Sequence, residues 1–167
     1  TKNPLPSGMG SVNMGRMARA AKEGGAAAIR AQSMADILEI REVTGLPVIG
    51  LVKRSYPDSA IYITPTHNEV AELLATGCEV IALDMTDRPR PGNEQMPDLV
   101  QQIHEAGRLV LADIPTFAEG TAAAEMGADA LSTTLSGYTP YSPQLSGPDI
   151  QLVRDLSMKL TVPVFAE

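Results

Sequence analysis

The sequence contains no tryptophan, one cysteine, two histidines and two phenylalanines. A single thiol excludes a disulfide framework and a cysteine-based metal cluster. Cys78, between Gly77 and Glu79 at the start of an apolar run, reads as a buried structural thiol rather than a nucleophile. Two histidines are too few for a His/Asp metal centre, and only a hard-cation site on Asp84 and Asp113 stays open. Basic side chains are in deficit: 13 Lys and Arg stand against 20 Asp and Glu, for a formal net charge of −7. Nucleic-acid binding needs a concentrated basic patch, so this balance argues against it. No apolar run approaches the ~20 residues of a membrane span, and no basic-apolar leader opens the chain. The expectation is a soluble cytoplasmic protein with neither a nucleic-acid nor a membrane partner.

What is present is a rhythm. The 167 residues are 44% hydrophobic and 20% charged, enough for one core and one domain. Short apolar runs occur at 26–29, 47–52, 80–83, 109–112, 130–135 and 163–165. Each is too short for a helix and apolar at consecutive positions, as in a parallel strand covered on both faces. Helical patterns lie between them. Thr66 with Glu69 and Thr116 with Glu119 form capping boxes, and Ser33 with Asp36 forms a weaker one. Pro148 suits a first helical position, followed by Ile150, Val153, Leu156 and Leu160 on one face. Ile37, Ile40 and Val43 make a similar stripe, as do Leu99, Val100 and Ile103, and glycines such as Gly45 and Gly77 mark helix ends. Met9, Met14 and Met17 read as core or staple contacts.

An alternation of strand and helix predicts a parallel sheet with right-handed crossovers, either an open doubly wound sheet or most of a (β/α)8 barrel. The nucleotide-binding version of the former needs G-x-G-x-x-G after a first strand. Gly8-Met9-Gly10 lacks both the strand and the third glycine and reads as a loop. The barrel is favoured, with residues 1–167 as a single partial domain of about six strands. The chain begins at Thr1 and stops within Val-Pro-Val-Phe-Ala-Glu, an apolar strand pattern, so a longer parent protein is expected.

Polar groups follow each apolar run: Arg30; Lys53 and Arg54; Asp84; Asp113; Thr133, Thr134 and Ser136; Glu167. In a parallel barrel these converge on one mouth, where such enzymes hold their chemistry. Lys53 comes directly after Val48–Val52 and is the leading candidate. Desolvation and a neighbouring cation such as Arg30 would favour its neutral amine, able to take a proton beside a carbonyl or to form a Schiff base. Glu167 and Asp113 would move protons on oxygens. Arg88-Pro89-Arg90-Pro91 reads as a stiff, solvated turn or as an element facing substrate.

Seven stretches, in order and at strand ends, resemble a known family: residues 28–31 (Ala-Ile-Arg-Ala), 47–54 (Pro-Val-Ile-Gly-Leu-Val-Lys-Arg), 79–84, 88–91, 112–116, 133–139 (Thr-Thr-Leu-Ser-Gly-Tyr-Thr) and 165–167. The chain is similar to the N-acetylmannosamine-6-phosphate 2-epimerases, (β/α)8 enzymes of sialic acid breakdown that use no organic cofactor. The resemblance implies an isomerase acting on an amino sugar phosphate. Lys53 would be the acid/base at C2, and Glu167 would serve ring opening and closure. Arg30, Asp113, Thr134, Ser136 and Tyr138 would bind substrate. The family's first strand would precede Thr1, and its phosphate-binding loops would follow Glu167. Ser132 stands where the family commonly has glycine. No metal is implied, and a homodimer stays open. The competing readings are a Schiff-base aldolase or lyase built on the same lysine, and an inactive barrel fragment whose open edges demand pairing.

Overall fold

A computed structural model describes residues 9–167. Six helices and six strands alternate: α1 Met9–Glu23, β1 Ile29–Gln32, α2 Met34–Thr44, β2 Val48–Leu51, α3 His67–Thr76, β3 Val80–Asp84, α4 Met96–Glu105, β4 Leu109–Asp113, α5 Phe117–Glu125, β5 Ala130–Ser132, α6 Ile150–Lys159 and β6 Val164–Phe165. One 3-10 turn, Pro91–Asn93, precedes α4. The strands form one sheet in sequential order, every pair parallel.

Side-chain reach shows that this sheet is rolled. Strands in a flat sheet are ~4.8 Å apart, so β1 and β6 would be separated by roughly 24 Å. Yet Arg30 of β1 lies 2.7 Å from Asp113 of β4 and 3.3 Å from Glu167, just beyond β6. Only a sheet curled into most of a barrel brings its edges that close. The partial (β/α)8 architecture expected from the alternation is therefore the one observed.

Alternation along the strands builds two apolar layers. Outward residues such as Val48, Ile81, Leu83, Val110 and Leu131 pack against the helices. Inward residues Leu51, Ala82 and Leu111, joined by Ile63 and Leu135, fill the barrel interior. Gly50 marks a close approach between β2 and the layer that covers it. A Cβ there would come within 2.9 Å of Cys78 Sγ, 3.0 Å of Ile37 Cδ1 and 3.1 Å of Leu73 Cδ2. Gly50→Val is expected to destabilise the protein by about 1–3 kcal/mol through overpacking. Urea unfolding checks this; an unchanged midpoint would show that the layer yields. Cys78 is buried and free as expected, and burial pushes its thiol up.

Helix starts follow the sequence signals with some changes. Thr66 and Glu69 form the full capping box of α3. Glu69 is buried and also receives the Tyr56 hydroxyl and an Arg54 ion pair. Burial opposes its charge, but Thr66, Tyr56 and Arg54 more than compensate and hold the carboxyl below its ordinary value of 4.5. A depressed folded value adds stability above pH 4.5 that is lost as pH falls through it. Glu69→Gln is thus expected to lower stability at pH 7 and to flatten the acid limb of the stability–pH curve. An acid limb of parental steepness in the variant would refute this.

Other local readings require correction. α6 is capped by Asp149, whose Oδ1 accepts from Leu152 N at 2.9 Å, so Pro148 lies one residue before the cap. Its buried face is Leu152 and Leu156, while Ile150 is solvent-exposed. Val43 is only half-buried beside Ile37 and Ile40. Met14 packs on the core, but Met17 is exposed. Met9 and Gly10 open α1 rather than forming a loop; Gly8 lies outside the described residues. Among the described residues no helix is long and apolar enough to cross a membrane.

Candidate active site

At the C-terminal end of the strands, Arg30, Lys53, Tyr62, Thr134, Tyr138 and Glu167 line a cleft of ≈ 290 Å³ above Leu51 and Ile63. That volume is at the lower edge of small-molecule clefts, which run ~300–1,000 Å³.

Lys53 is held by its backbone. It forms an antiparallel bridge with Ile63, and the flanking bonds Arg54 N to Tyr62 O (2.9 Å) and Thr64 N to Val52 O (2.8 Å) complete a short ribbon. The loop after β2 therefore doubles back across the mouth and places Lys53, Tyr62 and Ile63 together on the lining of the cleft. The Lys53 side chain is exposed. The dry surroundings expected for this amine are therefore absent from the open cleft. A bound substrate would have to exclude the water.

Opposite Lys53 is a charged cluster. Arg30, read from sequence as following β1, is a residue of that strand and faces inward. Its guanidinium grips Asp113 with two bonds, NH1 to Oδ1 at 2.9 Å and NH2 to Oδ2 at 2.7 Å. This fork-to-fork geometry is the strong form of an Arg–carboxylate pair. Asp113 is fully buried. Burial drives its carboxyl above the ordinary value, aided by nearby Glu167 and opposed by Arg30 and Thr134. Burial likewise opposes the Arg30 charge, but Asp113 and Glu167 together leave the guanidinium above its usual value. Thr134 Oγ1 bridges the two acids, 2.9 Å from Asp113 Oδ1 and 3.0 Å from Glu167 Oε2. Lys53, Arg30, Asp113, Thr134 and Glu167 are thus brought together.

Tyr138 reaches the cleft from the β5–α6 loop and is largely solvent-exposed. Two contacts anchor that loop. Gly137 N donates to Ser142 Oγ at 3.0 Å, and the Tyr141 hydroxyl donates to buried Glu119 at 2.7 Å. Burial and Glu119 push the Tyr141 phenol up to about 12, so it stays a donor. Ser136 is placed differently: its hydroxyl donates to Asp149 at 3.0 Å, and it does not line the cleft.

Asp84 and the basic loop also depart from expectation. Asp84 is buried, accepts from Thr86 and pairs with Arg88 at 2.6 Å. Arg90 is not a solvated side chain. It is buried and donates to the carbonyls of Thr64, Pro65 and Asp84, so burial lowers its guanidinium to about 10. The loop turns inward so that one guanidinium meets carbonyls of the β2–α3 loop and of the end of β3. With Asp84 on Arg88 and Asp113 on Arg30, the two acids considered for a cation are each taken by a guanidinium. Among the described residues no group of three His, Cys, Asp or Glu is arranged to hold a metal.

Sequence reasoning missed Tyr62, Ile63 and Ser132. The first two were legible as a β-prone Tyr62-Ile63-Thr64 after the turn at Tyr56–Ser59, while Ser132 gave no signal beyond an atypical side chain for its position.

Known proteins resemble this chain in sequence and in fold. The family model NanE, described as "Putative N-acetylmannosamine-6-phosphate epimerase", matches residues 14–167. A Clostridioides difficile protein named "Putative N-acetylmannosamine-6-phosphate 2-epimerase" is 60% identical over 154 residues, covering 92% of this chain and 69% of that protein. A Clostridium perfringens (strain SM101) protein of the same name is 59% identical, with 92% and 70% covered. The solved N-acetylmannosamine-6-phosphate 2-epimerase from Clostridium perfringens superposes with a TM-score of 0.92 at 57% identity, over 98% of this chain and 70% of that one.

Proposed function

Because this chain belongs to the N-acetylmannosamine-6-phosphate epimerase family, we propose that its cleft interconverts N-acetylmannosamine 6-phosphate and N-acetylglucosamine 6-phosphate. The reaction removes and returns the proton at C2 without an organic cofactor. The observation that carries this reading is one cleft lined by an amine, Lys53, a carboxylate, Glu167, and a cation, Arg30.

C2 of a closed pyranose is not acidic, so the ring must open first. Glu167 takes the anomeric hydroxyl proton and hands it to the ring oxygen as the C1–O5 bond breaks, exposing an aldehyde beside C2. Lys53, as the neutral amine, then removes the C2 proton. Negative charge develops on the aldehyde oxygen, and preoriented donors aimed at such charge are commonly the largest catalytic contribution. Arg30 supplies the positive charge that meets it, held in place by Asp113. With a single base, inversion requires the planar intermediate to turn before the Lys53 ammonium returns a proton to its other face. Thr134 and Tyr138 contact the sugar, and the phosphate acts as a remote handle whose binding energy positions C2. Residues 1–167 serve in this reading as one partial barrel domain of a cytoplasmic enzyme of amino sugar breakdown.

Incubating the protein with N-acetylmannosamine 6-phosphate in D2O is expected to place deuterium at C2 of both epimers, read by proton NMR. No incorporation between pH 6 and 9 would defeat the reading, and a borohydride-trapped adduct on Lys53 would favour a Schiff-base lyase in its place.

A further inference from the structure

Three consecutive hydroxyl residues at the end of β5 all touch Glu167. The Thr133 hydroxyl clasps its backbone, accepting from Glu167 N at 3.2 Å and lying 3.3 Å from Glu167 O. Ser132 and Thr134 instead meet the carboxylate, and both meet the same oxygen: Oε2 lies 3.2 Å from Ser132 Oγ and 3.0 Å from Thr134 Oγ1. Arg30 NH1 adds an ion pair to Oε2 at 3.3 Å. Among the described residues none hydrogen-bonds Oε1. The carboxylate is exposed to the cleft, whereas Ser132 is fully buried beneath it, paired in register with Phe165 of β6.

Proton counting divides the work of the two hydroxyls. Thr134 has one proton and two acid neighbours, Asp113 Oδ1 at 2.9 Å and Glu167 Oε2 at 3.0 Å. When it donates to Asp113, Glu167 depends on Ser132 for its hydroxyl donor. When Thr134 turns to Glu167, Ser132 can donate to Thr134 Oγ1 at 2.7 Å and keep that rotor aligned. In both arrangements the Ser132 proton is spent in holding Oε2.

We propose that Ser132 is a positioning residue for Glu167: with Thr134 it fixes Oε2 and so presents Oε1 as the atom that exchanges protons with the sugar. This rests on the epimerase reading only for the identity of the proton donor on the substrate; the effect on Glu167 exists in the free protein. A buried hydroxyl donating to an anion stabilises the anion, so its removal raises the carboxyl's titration midpoint.

The test pairs carboxyl titration with kinetics. In protein labelled at the glutamate carboxyl carbon with ¹³C, the Glu167 signal is assigned by its loss in Glu167→Gln. In Ser132→Ala its midpoint is expected to rise by about half to one pH unit. The kcat for C2 exchange is expected to fall about tenfold, the effect of one hydrogen bond to a charged group, with KM within twofold and the acidic limb of kcat displaced upward. In a Glu167→Gln background the same alanine is expected to cost nothing further, a non-additivity that general loosening would not produce. Ser132→Cys, close in size but a weaker donor, is expected to fall between and provides the comparison if the alanine variant does not fold. An unmoved Glu167 midpoint, or an equal fractional loss with and without the Glu167 carboxylate, overturns the proposal. If the parent protein exchanges no C2 hydrogen, the epimerase reading fails and the titration alone decides the role of Ser132.

Discussion

Alanine in place of Lys53 is expected to reduce C2 hydrogen exchange by ~10²–10⁴-fold, the range for loss of a positioned general base. The unfolding midpoint should stay near that of the parent. The Lys53 side chain is exposed, and its place in the ribbon depends on backbone pairing with Ile63, which alanine retains. Exposed substitutions away from special features usually change stability by about 0.5 kcal/mol or less. Lys53→Arg separates charge from proton transfer. A guanidinium keeps the cation but cannot give up its proton near neutrality, so it should be nearly as inactive as alanine. Substantial exchange in the arginine variant would mean that Lys53 serves only as an electrostatic partner, and the base would have to be sought in Glu167.

The second large effect concerns stability. Arg30→Ala is expected to destabilise the fold by roughly 3–5 kcal/mol, because it strands a buried carboxylate. Asp113 is fully enclosed, and without the guanidinium its remaining side-chain partner is the Thr134 hydroxyl. Burial already pushes the Asp113 carboxyl up in the intact pair, and removing the cation pushes it further. A carboxyl whose folded value exceeds its unfolded one binds more protons in the native state, so stability falls as pH rises between the two values. The Arg30→Ala variant should therefore recover stability as pH is lowered from 7 towards the ordinary carboxyl value of 3.8. Arg30→Ala combined with Asp113→Asn should be less damaged than Arg30→Ala alone, since no charge is left to bury. Urea titrations at both pH values check this, and a single variant equally unstable at each would refute it.

These side chains also show how far the sequence could be read. Six apolar runs become the six strands, and Leu99, Val100 and Ile103 are buried as their spacing requires. β1 was misplaced because Ala26, Ala27 and Ala28 look apolar, yet the pairing that defines the strand starts at Ile29, opposite Val48. The same misreading put Arg30 after its strand. Arg30, Asp84, Asp113 and Ser132 are strand residues that face inward at the mouth. A search for uninterrupted apolar runs stops short of the polar positions at which a barrel keeps its chemistry. Arg90 was misread for another reason: carbonyls from two separate segments form its binding place, and only the folded chain assembles them. Lys53 and Glu167 were legible because each follows a run that unambiguously ends.

Among the described residues, the Arg30 guanidinium of β1 is the strut that spans the open side of the sheet to Glu167, just beyond β6. Denaturant or heat that parts those edges by a few ångströms would separate Glu167 from its cationic neighbour while the buried layer between sheet and helices remains intact. Loss of turnover should consequently precede loss of secondary structure, with inactivation leading the melting curve.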